Sequence, residues 1–473
     1  MKIYYTLLLL ILTVFSCKNE VDTLEENYAY LGGKIINPNT DYVILSKSDA
    51  TIDTLFLDAN DRFMHKVENL EAGLYKFYHG GEFQLVLLEP RDSILFRLNT
   101  LDFDESLVYT GDGAKKNNYL INDFLMNEKE KKTIYKLSQL DADVYEKKVD
   151  SIKNRKLDKL ANFETKYATT GLFNKIAKAN IDYSYYYSKE IYPFYHYGQS
   201  KKEILNTLPK GFYDYRKDIN YNDAFLKDYF YYNSYLIWNF NNLALQRHFD
   251  HSNSSRFNKL SLCFNLDKFK MIDSLVTNKD IKNNLLYDYT MSYLARSRNN
   301  ENNTAILNAY LSKSTNEESK AMVKRFTRAI NNLKEGSRFP EIFVNDYNGN
   351  KHDVNALIDR PTVISFWTHS YFDHFKESHY KIKELRLKYP EVKFININID
   401  GYDVTTSKQS LQSNRFSIKD EYQFVNPKES IELLAIQPMN KSIIIDKNKI
   451  IVNNNTNIFS HSFEKQLLGL INR

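Results

Sequence analysis

Ten residues, Phe366 to Phe375 (FWTHSYFDHF), concentrate the side chains able to do chemistry. His369, Asp373 and His374 offer imidazole nitrogens and a carboxylate, with Glu377 and His379 a turn further on. Zinc and copper take such ligands. The histidines recur every five residues, so His374 and His379 fall on different faces of a helix, unlike the four-residue pair of a helical zinc site. Carboxylates in a first helical turn also suit the helix dipole without any ion. The expectation is a polar helix start, with no metal and no other cofactor. Acid–base work by His374 with Asp373 or Tyr371 meets a similar objection, because adjacent helical residues do not face each other. The enzymatic alternative nevertheless rests on His374 and Asp373, with His369 completing a metal set. The chain has no Gly-x-Ser-x-Gly elbow and no phosphate loop.

The elements that must position these side chains are legible on both sides. PTVISFWT is an apolar, β-branched run suited to a buried strand, and Phe372–Lys388 has helical apolar spacing. Further on, strands are expected at Val392–Ile399, Tyr422–Val425, Lys441–Ile445 and Ile450–Val452. Helical stretches at Ser407–Asn414, Lys428–Leu434 and Phe463–Ile471 alternate with them, which predicts an α/β sheet. Ala435-Ile436-Gln437-Pro438 precedes the strand KSIIID.

A strand entering a helix through a Trp-containing turn, followed by a proline loop before a late strand, resembles the TlpA/ResA-like (AhpC/TSA-type) thioredoxin-fold proteins. That family carries C-x-x-C after the tryptophan, and the resemblance places those two positions on Tyr371 and His374. Thiol–disulfide exchange needs a thiolate, so the resemblance implies the fold without its usual redox catalysis. It also implies a groove between the helix start and the proline loop, formed by Trp367, Tyr371, Phe372, Pro438 and Met439. Such an aromatic and apolar surface could hold an extended peptide of an envelope protein.

The two cysteines bound the rest of the redox question. Met1-Lys2 is a short positive start, Ile3–Phe15 is apolar but short for a bilayer span, and Ser16-Cys17 precedes a polar turn. This pattern resembles a bacterial lipoprotein signal, which implies acylation of Cys17 and a membrane tether made of lipid. By the same resemblance, Lys18 rather than Asp after that cysteine implies onward transport to the outer membrane. Cys263, flanked by Leu262 and Phe264, is expected to be a buried small hydrophobe.

At 473 residues several domains are expected. The fold class is multidomain α+β. A signal (1–16) and a tether (17–27) precede an N-terminal β-sandwich (28–113), a helical middle domain (114–335) and a C-terminal thioredoxin-like α/β domain (336–473). The sandwich expectation rests on short strand-like runs such as YVILSK and SILFRL, separated by turn residues. A helix interrupted near Pro193 is expected in the middle. Lys and Arg number 64 against 59 Asp and Glu, a mixed surface that excludes a nucleic-acid footprint. Four Asp-Ser/Thr-apolar triplets, at Thr54, Ser93, Ser151 and Ser274, resemble a bacterial O-glycosylation sequon.

Overall fold

The computed structural model describes residues 27–48, 50–252, 257–369, 371–401, 403–437 and 439–471. The expected signal, Cys17 and Pro438 lie outside them. Among the described residues no helix is long and apolar enough to cross a membrane.

The chain divides into two compact units. One holds residues up to Met126 with Thr169–Asn174, and the other holds Asn127–Ala168 with everything from Lys175 onward. In the first unit, strands β1 (Ala29–Ile36), β2 (Tyr42–Lys47), β3 (Ala50–Phe56), β4 (Arg62–Val67), β5 (Gly73–His79), β6 (Glu82–Leu88), β7 (Ser93–Asn99) and β8 (Val108–Asp112) build two four-stranded sheets. Their orders are β4-β1-β7-β8 and β3-β2-β5-β6. Alternation makes the core: in β7, Ile94, Phe96 and Leu98 are buried while their neighbours Ser93, Leu95 and Arg97 are exposed. Phe77 and Phe96 stack with ring centroids 4.5 Å apart. Gly111 has φ +91°, and a Cβ there would sit 2.1 Å from the Ser93 carbonyl oxygen, so only glycine fits.

Helix α1 (Ala114–Leu137) follows. Its first half belongs to the sandwich core through Ala114 and Ile121, and Asn117 Oδ1 accepts from the Leu87 backbone N–H at 2.7 Å. The first unit runs on through this part of the helix to Met126.

The second unit continues with α2 (Ala142–Lys166), α3 (Gly171–Tyr195, from Lys175 onward), α4 (Lys201–Asn206), α5 (Phe230–His251), α6 (Leu262–Leu275), α7 (Lys279–Leu294), α8 (Asn300–Lys313) and α9 (Glu317–Asn332). Helix α3 runs two residues past Pro193 instead of breaking at it. Proline there removes an intrahelical bond and crowds the carbonyl four residues back, and the helix stops two residues later. At the centre of this region Glu190 is fully buried. Its carboxylate accepts from Arg216 (Nε 2.8 Å, and Nη2), Tyr215 OH (2.8 Å), Asn239 Nδ2 (2.7 Å) and Asn242 Nδ2 (2.9 Å).

The same unit carries the α/β sheet: β9 (Phe343–Asp346), β10 (Lys351–Asp353), α10 (Val354–Leu357), β11 (Thr362–Trp367), α11 (Phe372–Lys388), β12 (Lys393–Asn398), α12 (Val404–Ser413), β13 (Glu421–Phe424), α13 (Pro427–Leu433), β14 (Ser442–Ile445), β15 (Ile451–Thr456) and α14 (Phe463–Ile471). Sheet order is β10-β9-β13-β12-β11-β14-β15. Strands β11, β12 and β13 are parallel, whereas β14 runs antiparallel to β11 and β15 to β14. A parallel strand–helix–strand half feeding an antiparallel hairpin and a closing helix makes this a thioredoxin-like domain. All six residues of β11 are buried, as a central strand covered on both faces requires.

Glu190→Gln would leave the Arg216 guanidinium buried without its counter-charge. We expect a loss of about 3–5 kcal/mol of stability, read as a lower urea midpoint with the helical circular-dichroism signal retained in the absence of denaturant.

Candidate functional site

The corner between β11 and α11 is where the sequence concentrated its candidates. Trp367 is 1 % exposed and packs against the rings of Phe375 (4.8 Å) and His379 (5.6 Å). Phe372 is half-buried against the same cluster, which also includes Tyr347 and Leu411. Trp367 therefore belongs to the core, and Phe372 borders it. Tyr371, the residue before α11, is 59 % exposed, and Met439 is half-buried.

His374 is half-buried with its ring 6.2 Å from that of Phe459, and burial holds its imidazole below the usual pKa. Asp373 is exposed. His379 was expected on the surface, yet it is buried, with Nδ1 2.7 Å from the Phe375 carbonyl and Nε2 3.3 Å from Glu421.

His369 belongs to a different constellation. Its Nδ1 lies 2.6 Å from Asp400 Oδ2 and its Nε2 3.0 Å from Ser410 Oγ. Asp400 also accepts from Thr368 Oγ1 (2.5 Å), the His369 backbone N–H (2.8 Å) and Asn398 Nδ2 (3.1 Å). Burial pushes the Asp400 carboxyl up, but the bonds from His369, from Thr368 and from the His369 backbone outweigh it and hold the pKa low. With both ring nitrogens engaged, His369 is not poised as a metal ligand. His369, Asp373 and His374 do not form a ligand cluster among the described residues.

The order carboxylate, imidazole, hydroxyl resembles the relay that activates a serine in acyl transfer. Ser410, however, sits inside α12, where backbone N–H groups serve the helix and cannot form an oxyanion site. The arrangement instead ties the end of β12 to the turn that opens α11. Sequence reasoning missed Asp400 and Ser410. The available signal was that β11 and β12 run parallel with Trp367 opposite Asn398, which brings Thr368 and Asp400 to the same sheet end.

Behind the loop before β14, Lys441 is 4 % exposed and donates to the carbonyls of Leu434 (2.8 Å) and Ala435 (3.0 Å). Burial pushes its ammonium down to about 7.

A sizeable concavity lies elsewhere in the second unit. A cavity of about 740 Å³ is bounded by α1, α2, α3 and the first turns of α5. Its walls include Ile134, Val149, Ile152, Ile181 and Ile191, with Tyr185, Tyr187 and Tyr195 adding phenols. Lys131, Lys132 and Lys136 are lining residues that also face solvent. Deeper, Lys156 is paired with Glu130 at 2.5 Å. Tyr135 and Tyr197 join hydroxyls at 3.0 Å beside the lining lysines. The spaces between helices are not visible in the periodicity of any one of them.

Cys263 is exposed on α6, contrary to the expected buried hydrophobe, with Sγ 3.6 Å from His251 Nδ1. Thr54, Ser93, Ser151 and Ser274, the hydroxyl residues of the four triplets, are all exposed.

Lys441 has a signed pH consequence. Below about pH 7 it is charged in both the folded and unfolded chain, and its burial is a standing cost. From about 7 up to its ordinary value of 10.5 the folded chain keeps it neutral while the unfolded chain still binds the proton, so stability rises with pH. Thermal melts of wild type and Lys441→Met from pH 6 to 10 should show wild type gaining on the variant above pH 7. A difference flat across that range would contradict the assignment.

No family model matches the chain, and no curated protein matches it. Solved structures do match in part. A thioredoxin-like protein from Bacteroides caccae is 15 % identical, with a TM-score of 0.31 over 44 % of this chain and 78 % of its own. A thiol-disulfide oxidoreductase from Bacteroides fragilis is 19 % identical, with a TM-score of 0.25 over 28 % of this chain and 99 % of its own. A thiol:disulfide interchange protein from Bacteroides sp. is 17 % identical, with a TM-score of 0.23 over 26 % and 80 %.

Proposed function

We propose that this chain is a lipid-anchored envelope binding protein whose thioredoxin-like domain performs no disulfide exchange and whose helical region holds an anionic amphiphile of the fatty-acid type. The observation that carries the ligand reading is the cavity of about 740 Å³, apolar on its walls and lysine-bearing where it meets solvent. Ligand sites of this kind are concave, mostly apolar and equipped with a few orienting polar groups. An acyl or aryl body would displace water from the isoleucine and tyrosine walls, while Lys131, Lys132 and Lys136 would face its anionic end.

The loss of redox work rests on the side chains at the start of α11. Tyr371 supplies a phenol and His374 an imidazole, and neither forms a mixed disulfide. A peptide docking at this corner would meet Tyr371 and Met439, since Trp367 is committed to the core. Anchoring rests on Cys17 and its preceding apolar run, with Lys18 favouring the outer membrane.

Two measurements test this reading. Insulin reduction by the purified protein should equal that of a Cys263→Ser control, and turnover above the control would overturn the redox part. A fluorescent long-chain fatty acid should bind saturably. Ser184→Trp and Ser234→Trp, which place bulk in the cavity from half-buried positions, should each weaken it at least about tenfold, or about 1.4 kcal/mol. Lys132→Glu with Lys136→Glu should weaken it in a salt-dependent way. Undiminished binding by both tryptophan variants would sink the cavity as the ligand site.

A further inference from the structure

The last turn of α5 and the first turns of α6 bring together side chains that no part of the proposed function uses. His248 and His251 stand three residues apart on α5, and Cys263 and Asp267 four residues apart on α6. Such spacings put each pair on one helix face, and facing helices build metal sites from such pairs. Each of the four offers one ligand atom, and these atoms all lie within 4.8 Å of one another. A tetrahedral zinc site with metal–ligand bonds of about 2.0–2.3 Å needs its ligand atoms roughly 3.3–3.8 Å apart, so a small contraction of side chains completes it.

The individual contacts run from below that spacing to its upper end, and the shortest is a hydrogen bond that metal binding would replace. Asp267 Oδ2 is 2.7 Å from His251 Nε2 and 3.8 Å from Cys263 Sγ. Its other oxygen, Oδ1, is 3.4 Å from Arg247 Nε, which orients the carboxylate from outside the set. A second observation points to a missing ligand. His248 is 5 % exposed, and its Nδ1 is buried with no hydrogen-bond partner among the described residues. A buried ring nitrogen left unpartnered is costly, and the other three members are already within reach of one another.

We propose that His248, His251, Cys263 and Asp267 bind one zinc ion that staples α5 to α6. The donor set decides the metal class. A thiolate with imidazoles favours zinc over magnesium or calcium, which take oxygen ligands. Four protein ligands leave no position for substrate, as in structural rather than catalytic zinc sites. Metal binding releases the Cys263 proton to solvent and removes an exposed thiol from oxidation.

The full mature chain, stripped with chelator and dialysed, should take up one zinc per molecule from zinc chloride in competition with a chromophoric chelator. Its melting temperature should rise with zinc concentration. Cobalt(II) should give the thiolate-to-metal charge-transfer band and the intense visible bands of a tetrahedral site. Cys263→Ser should abolish the charge-transfer band and weaken zinc binding at least tenfold, and His248→Gln should weaken it about 100-fold. Because His248 is buried, folding of His248→Gln is checked by circular dichroism; if it fails to fold, exposed Cys263→Ser decides. A pale octahedral cobalt spectrum in wild type, or zinc affinity unchanged in Cys263→Ser, would overturn the site.

Discussion

A single buried carboxylate organises the helical region. Glu190 lies on α3 with no exposure to solvent, and its oxygens accept from residues on α5 and on the short turn Asp214–Asp218. Burying a charge costs several kcal/mol unless its partners are close and complete. Here a guanidinium, a phenol and two amides supply them. Burial lowers the Arg216 pKa, yet the Glu190 charge outweighs it and keeps the guanidinium firmly protonated. The result is a geometric constraint more than a net gain in stability. Glu190 fixes the rotation of α3, and helical periodicity then turns Ile181, Ser184, Tyr185 and Ser188 toward the opposite side, where they wall the cavity. The partner helix α5 runs on from Asn242 to His248 and His251. Cavity wall and metal ligands thus inherit their placement from one helix pairing.

The thioredoxin-like corner shows what holds that shape when no thiols are present. Trp367, Phe375 and His379 form one side of the turn, packed into the core beside Leu411. On the other side Asp400 gathers the Thr368 hydroxyl and the backbone and ring of His369. Packing and a low-pKa carboxylate pin the start of α11 from two elements at once. A disulfide is not among the forces that hold this corner.

Local pattern carried much of this architecture in the sequence. Period-two alternation exposed the sandwich strands, and the continuous apolar run TVISFW marked β11 as a central strand. What escaped were pairings between residues far apart in the chain. His369 looked like a surface histidine because Asp400 and Ser410 lie 31 and 41 residues away. Cys263 looked buried because its immediate neighbours are apolar, whereas helical geometry turns Phe264 inward and Cys263 out. The helices lining the cavity were legible one by one. The space between them depends on crossing geometry, which no single helix encodes. Helix α1 likewise reaches into the sandwich core through Ile121, a contact that no local pattern encodes.

The choice of tyrosine around the cavity bears on what it can hold. Burial drives the phenols of Tyr185 and Tyr187 well above their ordinary pKa, so both stay neutral throughout the physiological range. Each presents an uncharged ring that tolerates an apolar neighbour and a hydroxyl that can satisfy a polar one. Buried Lys156 is neutralised by Glu130, which leaves the interior without a free charge of its own. At the solvent edge Lys131 is already paired with Glu128 at 2.5 Å, so Lys132 and Lys136 supply the cationic side, and at their exposed positions placing an anion costs little desolvation. An uncharged interior beneath a cationic edge orients a molecule before it binds tightly, with the apolar end in and the anionic end out. Neither an uncharged apolar ligand nor a fully hydrophilic anion would use both features.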